Sequence, residues 1–243
     1  MIDMHCHVLY DVDDGSKSEE QSMEMLRAAE SVGFKGIVLT PHYMSYTHFI
    51  SPVSENRKRH RRLNQLIKRE GLNLRLYLGN EVFYEPDLLP DLERGEFTTL
   101  NKGSYFLVET MRHDANKDHF LDFLYRIQIK GYETIVAHPE RYDFVQDDPN
   151  VLLDYLDRGN LLQVNALSLI GFYGKYAQKT AEIMLDCNMA QFLSSDAHMT
   201  KAYELMPKAL DRALEIVGPR VLKRLMLTNP TIALGAKGNI VVN

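Results

Sequence analysis

The chain has 243 residues, 45% hydrophobic and 25% charged, a composition typical of a soluble globular protein with either one α/β-barrel domain or two small domains. Its formal net charge of −5 argues against a general nucleic-acid binder, because no global positive field would attract phosphate backbones. Two cysteines are too few for a disulfide framework and favour a reducing cytoplasm, and the absence of a long apolar run predicts a chain that is not inserted in a membrane.

The first seven residues predict a short strand that ends in a His-x-His pair. In an extended segment, residues two apart project to the same face, so His5 and His7 could bind one ion together. An acidic, turn-rich loop containing Asp14 follows this strand. Ser16 or Ser18 could then cap the first helix, whose apolar positions recur at the helical period.

Short apolar runs alternate with helical patterns along the rest of the chain. Further strands are predicted at Ile37 to Leu39, Leu74 to Leu78, Tyr105 to Val108, Thr134 to Val136, Leu161 to Val164 and Gln191 to Leu193. Helices are predicted up to Gly33, around Arg57 to Ile67, in a short Pro-bracketed segment after Tyr84, and at Lys117 to Lys130, Val151 to Leu156, Tyr176 to Cys187 and Tyr203 to Val217; the apolar run Val221 to Leu227 follows. This alternation implies an α/β fold with a parallel sheet of seven strands, and its regular spacing favours a closed, TIM-like barrel over an open sheet.

Most of the predicted strands are followed by a residue that can bind a metal ion. With the first histidine pair and the acidic loop, the candidate ligands are His5, His7, Asp14, His42, Glu81, Glu109, His138, Asp196 and His198. Because chemistry in such barrels takes place at the carboxyl ends of the strands, we expect these side chains to form one site. Nine nitrogen and oxygen donors exceed the needs of one ion, so two or three ions with shared carboxylates are predicted. A donor set without thiolate suits manganese, iron or zinc better than copper or calcium.

Each of these residues also has a simpler interpretation. Taken alone, His42 or His138 could be a hydrogen-bonded histidine at a strand end, and Glu81 and Glu109 could face water. A barrel has no structural need for such groups at six strand ends, so their joint occurrence favours a metal site. Closely spaced ions bridged by carboxylates favour phosphate-ester hydrolysis, since they activate water and neutralise phosphoryl charge. The remaining histidines, which are His48, His60, His113 and His119, are predicted to lie at the surface.

Neither cysteine carries the phosphatase signature in which arginine follows six positions later. Val12 follows Cys6 at that distance, and Leu193 follows Cys187. Cys6 lies between the two paired histidines and is therefore expected to face the opposite side of the strand, in the core. Any phosphatase activity must then depend on metal.

Two basic features accompany the predicted site. Arg141 follows His138 by three residues and could hold two phosphate oxygens over the same pocket, although an exposed salt bridge involving Glu140 is the alternative. The basic run from Arg57 to Arg62 is most simply a solvated helix face, and steering an anionic protein substrate is its functional alternative.

These motifs together resemble the polymerase and histidinol phosphatase (PHP) superfamily, and more closely its CpsB/CapC/Wzb branch of bacterial manganese-dependent protein-tyrosine phosphatases. The resemblance spans residue 1 to about residue 230 and is carried by the first seven residues, Asp13-Asp14-Gly15, Thr40-Pro41-His42, Glu81, Glu109, His138-Pro139-Glu140-Arg141-Tyr142 and Ser195-Asp196-Ala197-His198. It implies a distorted (β/α)7 barrel, a single PHP-type domain over residues 1–243, and two to three Mn²⁺ ions, with iron or zinc as substitutes.

The resemblance also implies how the residues divide among three ions. The first would be bound by His5, His7, Glu81 and Asp196, the second by Glu81, Glu109 and His138, and the third by Asp14, His42 and His198. Arg141 matches the phosphate-binding arginine of the family. Whether Asp14 or a metal-bound water assists the leaving group stays open.

By the same resemblance, the chain is expected to be a cytoplasmic phosphatase acting on phosphotyrosine. Its implied partner is the autophosphorylated, tyrosine-rich tail of a bacterial tyrosine kinase that regulates capsule or exopolysaccharide synthesis, and the kinase could recruit it to the membrane. The alternatives are a PHP-type small-molecule phosphoesterase, such as a histidinol phosphatase, and an inactive PHP module that scaffolds a kinase complex.

The segment 43 to 53 has no clean period and is predicted to form a long loop over the site. It contains four large apolar side chains, which are Tyr43, Tyr46, Phe49 and Ile50. They either pack down as a local core or form a surface against which the phosphotyrosine ring stacks.

Overall fold

Buried parallel strands form the centre of the structure, a computed structural model that describes residues 1–86, 88–113 and 117–240. In chain order the strands are β1 (Ile2–Cys6), β2 (Gly36–Leu39), β3 (His42–Tyr43), β4 (Arg75–Leu78), β5 (Glu81–Phe83), β6 (Tyr105–Glu109), β7 (Glu133–Ala137), β8 (Leu161–Asn165) and β9 (Phe192–Ser194). Every pairing between them is parallel. Strands covered on both faces have no solvated side, which explains why most of these strands have continuous apolar sequences without alternating polar residues.

Two of the seven predicted strand paths are interrupted. The hydrogen-bonded sheets are β1-β2-β4 and β3-β5-β6-β7-β8-β9. β2 and β3 are separated by Thr40 and Pro41, and β4 and β5 by Gly79 and Asn80. Each half keeps its neighbour, since β2 pairs with β4 and β3 pairs with β5. The nine segments therefore correspond to seven paths around the barrel.

The barrel closes where the chain returns from β9 to β1. Cys6 forms a parallel bridge with Ala197. The backbone N–H of His7 donates to the Ala197 carbonyl at 2.9 Å, and the N–H of Asp196 donates to the His5 carbonyl at 2.9 Å. The predicted distorted (β/α)7 barrel is confirmed, and the seam itself carries four of the predicted ligands.

A buried carboxylate supports this seam from the helix side. Asp3 accepts hydrogen bonds from the Ser195 N–H at 2.9 Å, from the Ser195 hydroxyl at 2.6 Å and from the Tyr203 hydroxyl at 2.9 Å. A buried carboxylate is tolerated when its oxygens are hydrogen-bonded in this way. The three contacts join residues about 190 to 200 positions apart in the sequence.

The barrel is irregular between β4 and β6. In the part of the chain that the structure describes, these two strands do not pair, and the 3₁₀ turn Leu100–Lys102 packs against both of them. Gly79 is needed here, because a Cβ atom at that position would lie 2.5 Å from a Leu100 methyl group. The interruption between β4 and β5 thus coincides with the close approach of this turn.

Helices cover the outside of the barrel. They are α1 (Glu19–Val32), α2 (Val53–Glu70), α3 (Leu89–Arg94), α4 (Lys117–Ile129), α5 (Asp143–Asp147), α6 (Val151–Asp157), α7 (Lys175–Asp186), α8 (Thr200–Lys223) and α9 (Asn229–Ala233). Ser18 caps α1 and Gly33, at φ +102°, ends it. Non-helical backbone at Gly218 breaks α8, so the apolar run predicted after Val217 is helical and continues into a π-helical turn, Arg224–Thr228. Among the described residues, no helix is both long and apolar enough to cross a bilayer.

Two buried clusters fill the structure. The larger lies between strands and helices and includes Cys6, whose thiol donates to the Val38 carbonyl at 3.3 Å. The smaller draws one or two side chains from each of six strands, such as Met4 and Ile135, and fills the barrel interior. The prediction that Cys6 is a core thiol is confirmed, and burial raises the pKa of this thiol.

Candidate metal centre

Four of the predicted ligands meet at the mouth, the carboxyl-terminal end of the barrel. The Nε2 atom of His5 lies 3.1 Å from Glu81 Oε2 and 3.3 Å from Asp196 Oδ1, and the Nε2 atom of His7 lies 3.2 and 3.4 Å from the same two oxygens. Donor atoms around one octahedral ion with bonds of about 2.1 Å are about 3 Å apart. The spacing of these four side chains therefore suits a single ion.

A second group of donors surrounds the other side of Glu81. Nδ1 of His42 lies 3.0 Å from Glu81 Oε2 and 3.1 Å from Glu109 Oε1. Nε2 of His138 lies 2.9 Å from Glu81 Oε1 and 3.5 Å from Glu109 Oε2. Glu81 thus turns one oxygen to His138 and the other to His5, His7 and His42, so this carboxylate could serve two ions.

The third group lies at the outer edge of the mouth. Asp14 Oδ1 lies 3.5 Å from His42 Nε2 and 3.3 Å from His198 Nε2. The ring of His198 stacks on His7 with centroids 3.9 Å apart. Because the two nitrogens of His42 face the second and third groups, its ring lies between them. The structure brings all nine predicted ligands together.

Several of these donor atoms are buried without a hydrogen bond. They include Glu81 Oε2, Asp196 Oδ1 and His42 Nδ1, which all face the centre of the cluster. Leaving such atoms unsatisfied in the interior costs free energy, and a cation at their common focus would remove that cost. The donor set therefore fits metal ions.

The carboxylates and imidazoles of the cluster perturb one another strongly. Burial disfavours charge on Glu81, yet His5 and His42 hold its pKa well below the ordinary value. Burial also opposes a charged His5, but Glu81 and Asp196 raise its pKa above the ordinary value. Metal ions bound at these nitrogens would displace the protons that the neighbouring carboxylates favour on them, and would take over the role of positive partner.

Two polar residues that the sequence analysis did not assign orient the first histidines. Asp13 Oδ2 lies 2.8 Å from His7 Nδ1, and Gln163 Oε1 lies 2.9 Å from His5 Nδ1. Each contact fixes the ring so that Nε2 faces the cluster. Asp13 also accepts from the N–H of Gly15 at 2.9 Å. The signals were present in the sequence, since Asp13 precedes a predicted ligand and Gln163 interrupts an apolar strand.

Arg141 lies at the edge of the cluster, with its side chain only 9% exposed. Its guanidinium donates to Asp196 Oδ2 at 2.7 Å and lies 4.2 Å above the Tyr173 ring. Its partner is therefore not Glu140, which is fully buried and accepts from the Ser168 hydroxyl at 2.7 Å. Burial raises the pKa of Glu140 to about 7.

The mouth opens into two adjoining cavities. The first, of about 250 Å³, is lined by the cluster together with Arg112, Arg141, Phe172, Tyr173 and Met199. The second, which we call the apolar trough, measures about 440 Å³ and is lined on its apolar side by Met44, Tyr46, Phe49, Phe83 and Met111. Asp14, His42, Glu109 and Arg112 border both cavities, so the trough continues directly from the cluster.

Neither predicted alternative, a local core or an aromatic surface for the substrate, describes all four apolar residues between β3 and α2. Tyr43 belongs to β3 and is buried, as expected of a local core. Tyr46 is 63% exposed, Ile50 is also exposed, and Phe49 stacks on the ring of His42 with the two planes 14° apart. Only Tyr43 is a core residue, and Tyr46 and Phe49 form part of the trough.

The four other histidines were predicted to lie at the surface. His48, His113 and His119 are exposed, which confirms the prediction for them. It is wrong for His60, which is half-buried between α2 and β4, where Nε2 lies 3.1 Å from the Leu76 carbonyl. This contact depends on how the helix docks on the strand, which the local sequence does not specify.

A family model and individual relatives all match most of the length of the chain. Residues 1–235 match the family described as capsular polysaccharide synthesis, CpsB/CapC. CapC of Staphylococcus aureus is 34% identical over 96% of this chain and 93% of its own length. The tyrosine-protein phosphatase YwqE of Bacillus subtilis is 31% identical over 83% of this chain and 78% of its own length. The tyrosine-protein phosphatase CpsB of Streptococcus pneumoniae is 30% identical over 95% and 96%.

Solved structures agree with these matches. A crystal structure from work on YwqE of Bacillus subtilis and CpsB of Streptococcus pneumoniae, described as metal-dependent tyrosine phosphatases, superposes with a TM-score of 0.85 at 28% identity, covering 96% of this chain and 94% of that one. A histidinol phosphate phosphatase of Lactococcus lactis superposes with a TM-score of 0.54 at 14% identity, covering 87% and 93%. The second likeness shows a common fold alone.

Replacing Asp13 with asparagine tests whether it supports metal binding through His7. We expect Asp13→Asn to weaken metal affinity about 10- to 100-fold, since it removes the carboxylate that orients the imidazole and raises its basicity. The measurement is a competition titration of Mn²⁺ against a chelator. Asp11→Asn is the matched control, because Asp11 is exposed and contacts only Arg59 among the described ionic groups. Equal affinities for both variants would contradict the assignment.

Proposed function

Because this chain belongs to the capsular polysaccharide synthesis CpsB/CapC family, we infer that it is a metal-dependent tyrosine-protein phosphatase. The observation that carries this inference is the convergence of nine histidine, aspartate and glutamate side chains at the mouth of the barrel. Their presence also speaks against an inactive scaffold. The small-molecule alternative is less well supported, since the histidinol phosphate phosphatase shares the fold at only 14% identity.

We propose that the cluster binds three Mn²⁺ ions. The first would be held by His5, His7, Glu81 and Asp196, the second by Glu81, Glu109 and His138, and the third by Asp14, His42 and His198. Imidazole and carboxylate donors without thiolate suit manganese, and iron or zinc would accept the same set. When bound, the ions would supply positive charge to the phosphoryl oxygens and lower the pKa of a coordinated water.

The charge of the site supports a need for these ions. Four carboxylates border the cluster, from Asp14, Glu81, Glu109 and Asp196. A phosphate monoester carries nearly two negative charges and would be repelled by them, and Arg141 already donates to Asp196. Cations at the focus of the donors would reverse the sign of the field that the substrate meets.

Arg141 is the side chain best placed to bind the phosphoryl group. Asp196 and the face of Tyr173 hold its guanidinium at the edge of the first cavity. A guanidinium held in place can donate two parallel hydrogen bonds to phosphoryl oxygens without reorganising. These bonds would strengthen as negative charge develops in the transition state.

The tyrosinate leaving group needs little assistance from the protein. Tyrosinate, with a parent pKa of about 10, leaves more readily than an alkoxide. Asp14 is the ligand carboxylate that solvent reaches most easily, since its side chain is 54% exposed and those of Glu81, Glu109 and Asp196 are nearly buried. Burial would raise the pKa of Asp14, but the hydrogen bond with His198 outweighs burial and lowers this pKa, so the carboxylate is ionised. We assign Asp14 as the residue of the cluster positioned to accept a hydrogen bond from the water that protonates the leaving oxygen.

We further propose a protein substrate inside the cell. The family description refers to capsular polysaccharide synthesis, which supports the phosphorylated tail of a bacterial tyrosine kinase as the substrate. Exposed side chains along the apolar trough, such as Tyr46 and Met111, offer apolar contacts to such a tail. Two free cysteines suit a cytoplasmic location, and binding to the kinase would bring the enzyme to the membrane. We also treat residues 1–243 as one domain, because the barrel seam joins β1 to the segment after β9.

Metal removal tests the proposed function directly. A strong chelator should abolish hydrolysis of a phosphotyrosine peptide, and Mn²⁺ should restore it, because the charge that binds the substrate depends on the ions. Cys6→Ser and Cys187→Ser should keep most of the activity, since one thiol is buried in the core and the other is exposed. Turnover of histidinol phosphate under the same conditions should be much slower. Chelator-resistant hydrolysis, or inactivation by either cysteine substitution in a folded protein, would argue for another mechanism.

Substitution of Arg141 separates phosphate binding from metal binding. Arg141→Ala should lower kcat about 10²- to 10³-fold, the scale observed when one donor to a developing anion is removed. Arg141→Lys should recover only part of this loss, because an ammonium cannot form the two parallel bonds.

Metal content of both Arg141 variants serves as the control. It should stay at the wild-type stoichiometry when Mn²⁺ is saturating, because Asn165 still donates to Asp196 Oδ2 at 2.7 Å and keeps that carboxylate in place. A near-normal kcat in Arg141→Ala would mean that the arginine serves only as a partner of Asp196.

A comparison across the mouth locates the phosphotyrosine ring. If the ring lies in the apolar trough, Tyr46→Ala should raise KM for a phosphotyrosine peptide roughly 2- to 10-fold, the loss expected for one aromatic contact. Phe172→Ala is the matched control, since Phe172 is 49% exposed on the opposite side of the mouth. KM for acetyl phosphate, which has no ring, should change in neither variant. The reverse pattern would place the ring against Phe172.

A further inference from the structure

The basic residues of α2 fall into two groups in the structure. Lys58 pairs with Glu55 at 2.6 Å, Arg59 with Asp11 at 3.5 Å, and Arg62 with Glu19 at 3.0 Å. These three residues therefore form a solvated, ion-paired helix face, which is the simplest interpretation of the basic run from its sequence.

Arg57 and Arg61 form the other group. Within the ranges that the structure describes, neither side chain has a carboxylate within 4 Å. They are four residues apart and so lie on the same face of the helix, where two like charges repel each other and destabilise it. Nothing in the folding of α2 requires two unneutralised arginines at these positions.

Both arginines line a cavity of about 350 Å³ on the outside of the barrel, which we call the basic cavity. Its other lining residues are His60, Leu78, Thr98, Asn101 and Lys102. It lies where β4 and β6 do not pair, and it shares no residue with the two cavities at the mouth.

Lys102 adds a third cation from across the basic cavity. It also lacks a carboxylate partner among the described residues, and its backbone has the left-handed φ of +59°. Asn101 precedes it with φ +53° and donates to the Leu234 carbonyl at 3.0 Å, which anchors the turn. Left-handed backbone at a non-glycine residue costs free energy, yet the fold keeps it at both positions.

We propose that the basic cavity binds the phosphate group of an anionic ligand, at a site separate from the metal centre. Two guanidiniums and one ammonium could donate to different oxygens of one tetrahedral dianion. The hydroxyl of Thr98 and the amide of Asn101 offer further polar contacts. Bound anion would also remove the repulsion between Arg57 and Arg61. A volume of about 350 Å³ accommodates a phosphate and a few attached atoms.

The phosphate could belong to a soluble molecule or to the headgroup of an anionic lipid. Both present the same tetrahedral anion to the three cations, so the chemistry of the site is the same in either case. The proposal does not depend on the phosphatase function, and its test uses binding and unfolding measurements without reference to hydrolysis.

Sulfate, a stable tetrahedral dianion, is the probe. The Mn²⁺-loaded protein is unfolded with urea at increasing sulfate concentration, with chloride keeping ionic strength constant. At a sulfate concentration ten times the dissociation constant, occupancy of one site lowers the unfolding equilibrium constant about elevenfold. The double variant Arg57→Gln/Arg61→Gln should lose this decrease, and Lys102→Gln should weaken it independently.

The matched control is Lys58→Gln/Arg62→Gln, which removes the same charge from the ion-paired face of the same helix. It should keep the full elevenfold effect, and any sulfate bound at the metal centre contributes equally to every protein compared. Without sulfate, Arg57→Gln/Arg61→Gln should be at least as stable as the wild type, because it relieves repulsion. An undiminished sulfate effect in that variant would overturn the proposal.

Vesicles distinguish the two sources of phosphate. Cosedimentation at about 0.15 M salt is measured with phosphatidylglycerol vesicles and with phosphatidylcholine vesicles. Binding to the anionic vesicles alone, lost in Arg57→Gln/Arg61→Gln and kept in the control, identifies a lipid headgroup. A sulfate effect without vesicle binding identifies a soluble phosphate compound. If the double variant differs from the control in neither assay, the basic cavity is not an anion site.

Discussion

The structure depends on the placement of one carboxylate. Glu81 directs one oxygen at the imidazole nitrogens of His5, His7 and His42, which come from two strand ends and lie 3.0 to 3.2 Å away, and directs the other at His138. Such crowding is stable only if positive charge lies at the focus, whether it comes from protons on the histidines or from metal ions. The interruption at Gly79 and Asn80 starts a new strand segment at Glu81 and fits the turn at Leu100 beneath it.

Much of this arrangement could be predicted from the sequence because it follows from the geometry of parallel barrels. When strands and helices alternate, the residues after each strand must gather at one end, so nine ligands spread over nearly 200 positions could be assigned to one site. Which atoms face each other could not be predicted. The bond between Arg141 and Asp196 joins residues 55 positions apart, and the placement of His60 depends on how α2 docks on β4. The interruptions of two strands were also missed, since a short apolar run does not show where pairing resumes.

We propose that the two sides of the mouth recognise different parts of the substrate. Arg141, Tyr173 and Asp196 form a tightly packed polar contact beside the cluster, where the position of a phosphoryl group must be defined closely. The apolar trough is open and lined by methionine and aromatic side chains, which adapt to different neighbours at little cost. A rigid anion site beside an adaptable surface suits an enzyme that requires one phosphorylated residue and tolerates variation around it.

The seam between β1 and the segment after β9 has a consequence for synthesis of the chain on the ribosome. β1 is made first, but Ser195 and Tyr203, which satisfy the buried carboxylate of Asp3, emerge only after more than four-fifths of the polypeptide. Until then one edge of the first strand has no native partner, and His5 and His7 have no Asp196 beside them. Nascent chains therefore pass through a long interval in which an apolar strand edge is open to wrong pairing. Assembly of the candidate ligand cluster marks the end of that interval, since its first group of side chains is complete only when the last strand is in place.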